Sequence, residues 1–151
     1  MVSNYKLSEL RKFMRDIDQI MAEAWMILAE SPCILYAEPV RFDEEVIESY
    51  LSFNNEVKWT CSVVMSVKLA SYLARQFYDD EDELDDEIVS ETVGEFINII
   101  AGNIQGVLEG SAYLSSPTTT VHPDDSKIGY QGIRRNYQTP TGEFVITLNG
   151  E

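Results

Sequence analysis

A chain of 151 residues is the size of one domain, and residues 1–151 read as a single unit able to bury about 70% of its unfolded surface in one core. Lys plus Arg number 11 against 26 Asp plus Glu, a formal charge of -15 that repels nucleic acid and anionic membranes and favours a partner with basic rims. Cys33 and Cys61 sit in apolar runs with no C-x-x-C spacing, which argues against a zinc site or disulfide framework and for buried free thiols in a reducing compartment.

No apolar run reaches the ~18 residues a membrane span needs, and the early apolar stretch Met21 to Ala29 carries Glu23 inside it, unlike a secretory signal. A cytoplasmic protein is expected. From Leu7 to Ala29 the apolar residues hold the α-helical period, with Ser8 a candidate N-cap and Ser31-Pro32 ending the run, because proline disfavours a helical residue before it. Cys33 to Arg41 reads as a strand with Pro39 at an edge or end, and Asp43 to Glu45 as a turn. Val46–Phe53 and Val57–Val67 alternate and flank Asn54-Asn55-Glu56, which spells a β-hairpin. In its second strand Val57, Trp59, Cys61, Val63 and Met65 share one face. Leu69, Tyr72, Leu73, Gln76 and Phe77 mark a shorter helix over Lys68–Tyr78.

Asp79 to Glu87 is acidic except for Leu84. An EF-hand starting at Asp79 would need glycine sixth and glutamate twelfth, and the chain has Leu84 and Ser90, so a solvated, steering linker is the better reading. A long amphipathic helix spans Asp85–Gly110, with Ile88, Val89, Val93, Phe96, Ile97, Ile100, Ile104, Val107 and Leu108 forming its inner stripe. At about 100° per residue, Glu91, Glu95, Asn98 and Gly102 align along the outer side. Asparagine is a mediocre helix former that prefers caps and turns, so its place in mid-helix asks for a reason. Tyr113–Val121 reads as a strand and His122–Gly132 as a mobile loop. Ile133–Gln138 and Glu143–Leu148, joined by Thr139-Pro140-Thr141-Gly142, close the chain as a hairpin. The order implies an α/β (α+β) sandwich with long helices packed on a mostly antiparallel sheet. Glu95 alone would pass as a solvated charge. Trp25, Trp59, Tyr72, Phe77 and Phe96 follow core periodicity, Arg134 and Arg135 read as exposed, and the lone His122 lacks a triad context.

The segment GEFINIIAGNIQGVL, preceded by DELDDEIVSETV and followed by Ser116-Pro117-Thr118, resembles the signature of the CheC/CheX/FliY family of chemotaxis phosphatases, most of all its CheX branch. In that family a Glu-x-x-Asn pair on a surface helix acts on the phosphorylated receiver protein CheY, and the matching residues here are Glu95 and Asn98. Where the family often has Asp or Ser four residues before the Glu, this chain has Glu91; its later proline corresponds to Pro117 or Pro123. The resemblance implies an aspartyl-phosphate phosphatase in which Asn98 positions water and Glu95 pairs with a receiver lysine, with Glu91 and Gly102 at the contact surface. It implies no cofactor of the chain's own, the Mg²⁺ being the receiver's, and a homodimer through sheet edges. The competing account is a non-catalytic adaptor or flagellar-switch module that binds receivers without turning them over.

Overall fold

The computed structural model describes residues 7–54, 58–78, 84–107 and 113–150. The hairpin turn at 55–57, Asp79 to Glu83 of the acidic run, and the Leu108–Gly110 end of the signature helix lie outside these residues. The elements run α1 (Leu7–Ala29), β1 (Ile34–Leu35), β2 (Val46–Asn54), β3 (Lys58–Ser66), α2 (Val67–Tyr78), α3 (Asp86–Val107), β4 (Tyr113–Leu114), β5 (Thr118–His122), β6 (Ile133–Gln138) and β7 (Glu143–Gly150). The strands form one sheet in the order β1-β6-β7-β3-β2-β4, with β5 also on β2, and every described pairing is antiparallel.

All three helices lie on one face of this sheet. The alternation foreseen for β3 places Trp59, Cys61, Val63 and Met65 beneath them, beside Ile47, Leu51 and Phe53 of β2 and Phe144, Ile146 and Leu148 of β7. At the centre, Trp25 of α1 stacks on Phe144 at 4.9 Å and meets Phe96 of α3 edge-on at 5.7 Å, geometries the ring quadrupoles favour. Each helix is ended by local chemistry. Glu30 closes α1 in the left-handed region at φ 53° and returns its N–H to the Met26 carbonyl at 3.1 Å. Ser66 caps α2 by accepting from the Leu69 N–H at 3.0 Å. Both cysteines are buried free thiols, and burial pushes each up to about 12 from 9.0, with Asp18 adding to the effect at Cys33.

Three expectations need correcting. The strand foreseen over Cys33–Arg41 shrinks to Ile34–Leu35, because Val40 and Phe42 turn onto the far face, into a second apolar cluster with Val46, Val64 and Val145, and draw the chain out of the ladder ahead of Pro39. Side chains of β6 then serve the diverging carbonyls: Arg134 Nη2 donates to Val40 O at 2.7 Å and Asn136 Nδ2 to Glu38 O at 3.2 Å. The arginines are accordingly not free surface charges. Arg134 stacks over Tyr130 at 3.9 Å, and Arg135 donates from Nε to Asp18 of α1, which also accepts from Tyr137 at 2.7 Å.

The third correction bears on the site. Tyr113–Val121 is not one strand. β4 ends with Leu114 opposite Phe53, and β5 begins with Thr118 opposite Tyr50, so Ser115, Ser116 and Pro117 face only Leu51 and Ser52. One surplus residue makes a bulge. Ser115 holds it to the sheet, its N–H reaching Ser52 O and its Oγ accepting from the Ser52 N–H, both at 2.9 Å. The segment after His122 is fastened to the second face, where Asp125 accepts from the Phe42 N–H at 3.2 Å and donates its own N–H to Phe42 O at 3.2 Å. His122 itself faces Glu48, with Nε2 and Oε1 3.1 Å apart.

Candidate functional site

Helix α3 opens with Asp85, whose carboxylate accepts from the Ile88 N–H at 2.8 Å, and Asp86 and Glu87 fill its first turn, where carboxylates complement the positive end of the helix dipole. Its inner stripe is fully packed. Val89, Val93, Phe96, Ile97, Ile100, Ala101 and Ile104 are all buried, against β2, β3 and β5 below and α1 and α2 beside. Thr92, also buried, satisfies its hydroxyl on the Ile88 carbonyl at 2.8 Å. Burying those residues fixes the opposite side by geometry: Glu91, Glu95, Asn98 and Gly102 are all exposed, as the spacing predicts.

Glu95 and Asn98 are three residues apart, which separates them by about 4.5 Å along the axis and 60° around it. Neither side chain has a hydrogen-bond or ion-pair partner among the described residues. A carboxylate that accepts only and a carboxamide that both donates and accepts are thus held by a buried helix with their bonding capacity unspent. Such a pair can grip a cation with one member and orient a small polar molecule with the other.

Beside the pair lies an open groove of about 490 Å³, lined by Tyr78, Glu87, Ser90, Glu91, Gly94, Glu95, Pro117 and Thr119. Its depth comes from Gly94. A Cβ there would sit 3.5 Å from Pro117 Cβ and 3.5 Å from Thr119 Oγ1, so the missing side chain leaves the floor open while the helix still approaches β5 closely. The bulge carries Pro117 over the helix as the opposite wall, and a 2.8 Å hydrogen bond between the hydroxyls of Thr119 and the fully buried Ser49 anchors Thr119 beneath it. Of the four residues singled out from sequence, Glu91 and Glu95 reach this groove, whereas Asn98 and Gly102 lie farther along the same face outside its lining. Of the two candidate prolines, Pro117 is the one at the site. Tyr78 and Thr119 were missed, since only tertiary folding brings α2 and β5 alongside α3, whereas Ser90, on α3 itself and one turn before Gly94, was open to the same spacing argument and was overlooked.

Three helices on one side of an antiparallel sheet, with the outer face of α3 left polar and open, make an α+β sandwich, the architecture shared by solved CheX and CheC-like structures. The chain belongs to the CheX family: the family described as "Chemotaxis phosphatase CheX" matches residues 48–139, a span that runs from within β2 to the end of β6 and includes all of α3. Solved structures agree in fold. The chemotaxis protein CheX from Vibrio vulnificus superposes with a TM-score of 0.74 at 14% identity, over 92% of this chain and 96% of that one. The CheX from Desulfovibrio desulfuricans gives 0.71 at 14% identity, over 93% and 99%. A chain of the CheX–CheY–BeF3–Mg²⁺ complex from Borrelia burgdorferi gives 0.66 at 16% identity, over 92% and 97%. No curated protein sequence matches the chain. Among the described residues no helix is long and apolar enough to cross a membrane.

Proposed function

We infer that this protein accelerates hydrolysis of the aspartyl phosphate on a CheY-type response regulator. The observation that carries the reading is the Glu95/Asn98 pair, exposed, without a partner among the described residues and fixed on a helix whose other side is core. Family membership supports the reaction class, and the Borrelia burgdorferi complex of CheX with CheY supports the class of partner.

Phosphoryl hydrolysis demands little covalent chemistry from a protein; positioning and electrostatics do most of the work. A water must stand in line with the scissile bond, so that its oxygen bonds to phosphorus as the aspartyl oxygen leaves. In this reading Asn98 holds that water through its amide, with no charge to repel the phosphoryl oxygens. Glu95 pairs with the receiver's lysine and sets the register of the two proteins, an anchoring role distinct from general-base work. Glu91 and Gly102 belong to the surface that meets the receiver, Gly102 by leaving room. Charge stabilisation at the phosphoryl group falls to the Mg²⁺ and lysine of the receiver, so the chain brings no cofactor. Its strongly acidic surface steers it to basic partners in the cytoplasm. The same reading carries a homodimer joined at sheet edges, where β1 at one end of the sheet and β4 and β5 at the other are the edge strands.

The test is phosphate release from each phosphorylated receiver of the same organism, with and without this protein. Faster release from at least one receiver is expected; no acceleration with any of them overturns the reading. Tight binding to BeF3⁻-loaded receiver without faster release would assign the chain to the adaptor class instead.

A further inference from the structure

The groove is larger than the Glu95/Asn98 pair requires, and its lining has a chemistry of its own. Glu87, Glu91 and Glu95 follow one another at four-residue steps along its helical wall. Like charges at that spacing repel and cost helix stability, and among the described residues no lysine or arginine forms an ion pair with any of them. The rest of the groove is not acidic. Its floor is the backbone of Gly94, its far wall is the Pro117 ring and Thr119, and Tyr78, half exposed at the end of α2, closes one side. An apolar floor below a carboxylate rim, with an aromatic ring at hand, is complementary to a long cationic side chain: its methylenes lie on proline and glycine while its head reaches carboxylate and ring. Small anions and apolar peptides find no match there.

We propose that this groove is a second recognition subsite, which takes a lysine or arginine of the receiver other than the one that Glu95 engages. The proposal rests on the functional reading above and extends it to partner choice. Helix geometry sets the address. Glu91 and Glu87 precede Asn98 by seven and eleven residues, about 10 and 16 Å along the axis. The subsite therefore selects receivers that carry a cation at that distance from the phosphorylated aspartate. Gly94 is the shape determinant, because any side chain there occupies the floor. Glu87 and Glu91 are the charge determinants.

The test measures KM for phosphate release, and Kd for the same receiver loaded with BeF3⁻ and Mg²⁺, across a range of salt concentrations. Glu87→Gln/Glu91→Gln exchanges two exposed side chains for isosteres, giving up the dipole contact of Glu87 but also the repulsion among the glutamates, and so keeps the fold; it is expected to raise KM and Kd about fivefold at low salt and to flatten their salt dependence. Gly94→Ala adds only an ordinary contact to Pro117 and a better helix former, yet is expected to raise Kd at every salt concentration, because the floor is filled. Scanning the receiver's lysines and arginines by reversal to glutamate should find one whose loss is rescued by Glu87→Lys/Glu91→Lys. Asn98→Ala, run in parallel, separates the two levels. If it abolishes acceleration while the double glutamine variant keeps the parental KM and salt slope, the subsite is refuted and the phosphatase reading stands. If Asn98→Ala leaves acceleration intact, the water-positioning role of Asn98 fails while the subsite still stands or falls on the KM and salt slope of the double glutamine variant; if the parent protein accelerates no receiver, the phosphatase reading fails first.

Discussion

Replacing Asn98 by alanine is expected to move stability and activity in opposite directions. The side chain is exposed and has no hydrogen-bond partner among the described residues, so truncation removes no native contact. At this interior position of a 22-residue helix, alanine is the better helix former by roughly 0.6 kcal/mol. For a domain of this size that raises the melting temperature by about 1–3 °C. Catalysis should collapse meanwhile. One positioned hydrogen-bonding group that acts in the transition state is worth on the order of 10²–10³ in rate, close to the whole effect when water orientation is the task. The assay follows phosphate release from labelled receiver under single-turnover conditions, with thermal melts on the same preparation. A folded variant that discharges the receiver within threefold of the parent rate refutes the water-positioning role. A melt several degrees lower would instead refute the claim that this amide makes no structural contact.

Glu95→Gln is expected to act on association, raising KM about tenfold with a weaker salt dependence; an effect confined to kcat would contradict the anchoring role. Phe96→Ala should cost about 3–5 kcal/mol in urea denaturation, since the ring is fully buried and meets both Trp25 and Phe144 edge-on at 5.7 Å; a loss under about 1.5 kcal/mol would mean the aromatic centre is not packed as described. Stability should fall in alkali. Burial pushes the Cys61 thiol from 9.0 up to about 12, so above pH 9 the unfolded chain releases a proton that the folded chain retains. The associated loss is about 2 kcal/mol by pH 10.5 and levels off only above pH 12. Tyr137, also raised by burial and by its bond to Asp18, adds loss of the same sign above pH 10. Cys61→Ala should therefore decline less steeply than the parent between pH 9 and 11, and equal slopes in denaturant titrations would refute the assignment.

The elements with unbroken periodicity were legible in the chain itself. α1 occupies Leu7–Ala29 as the pattern implied, the closing hairpin keeps its bounds to within two residues, and the inner stripe of α3 is buried residue for residue from Val89 to Ile104. Where tertiary pairing overrides local pattern, the reading failed. Nothing local says that the run after Cys33 leaves the sheet after two paired residues, because that depends on Val40 and Phe42 finding Val64 and Val145. Nor does a Ser-Ser-Pro run announce a bulge, which exists only relative to Leu51 and Ser52 on the neighbouring strand. The arginines of β6 looked solvated because their partners are remote in sequence, Val40 lying 94 residues from Arg134 and Asp18 117 residues from Arg135. For the site, the stripe Glu91, Glu95, Asn98 and Gly102 could be seen from spacing, and its exposure follows from the buried side. The groove could not, since its opposite wall comes from β5 and its end from α2.

A helix gripped by four strands below and two helices alongside has nowhere to go. When two proteins meet over such a surface, accommodation falls to the visitor, and the host contributes little ordering entropy of its own. Amide exchange along α3 should accordingly be among the slowest in the molecule and barely change on complex formation. The pace of each encounter is then governed by arrival and departure, which ionic strength can tune without reshaping either the amide or the acid that waits there.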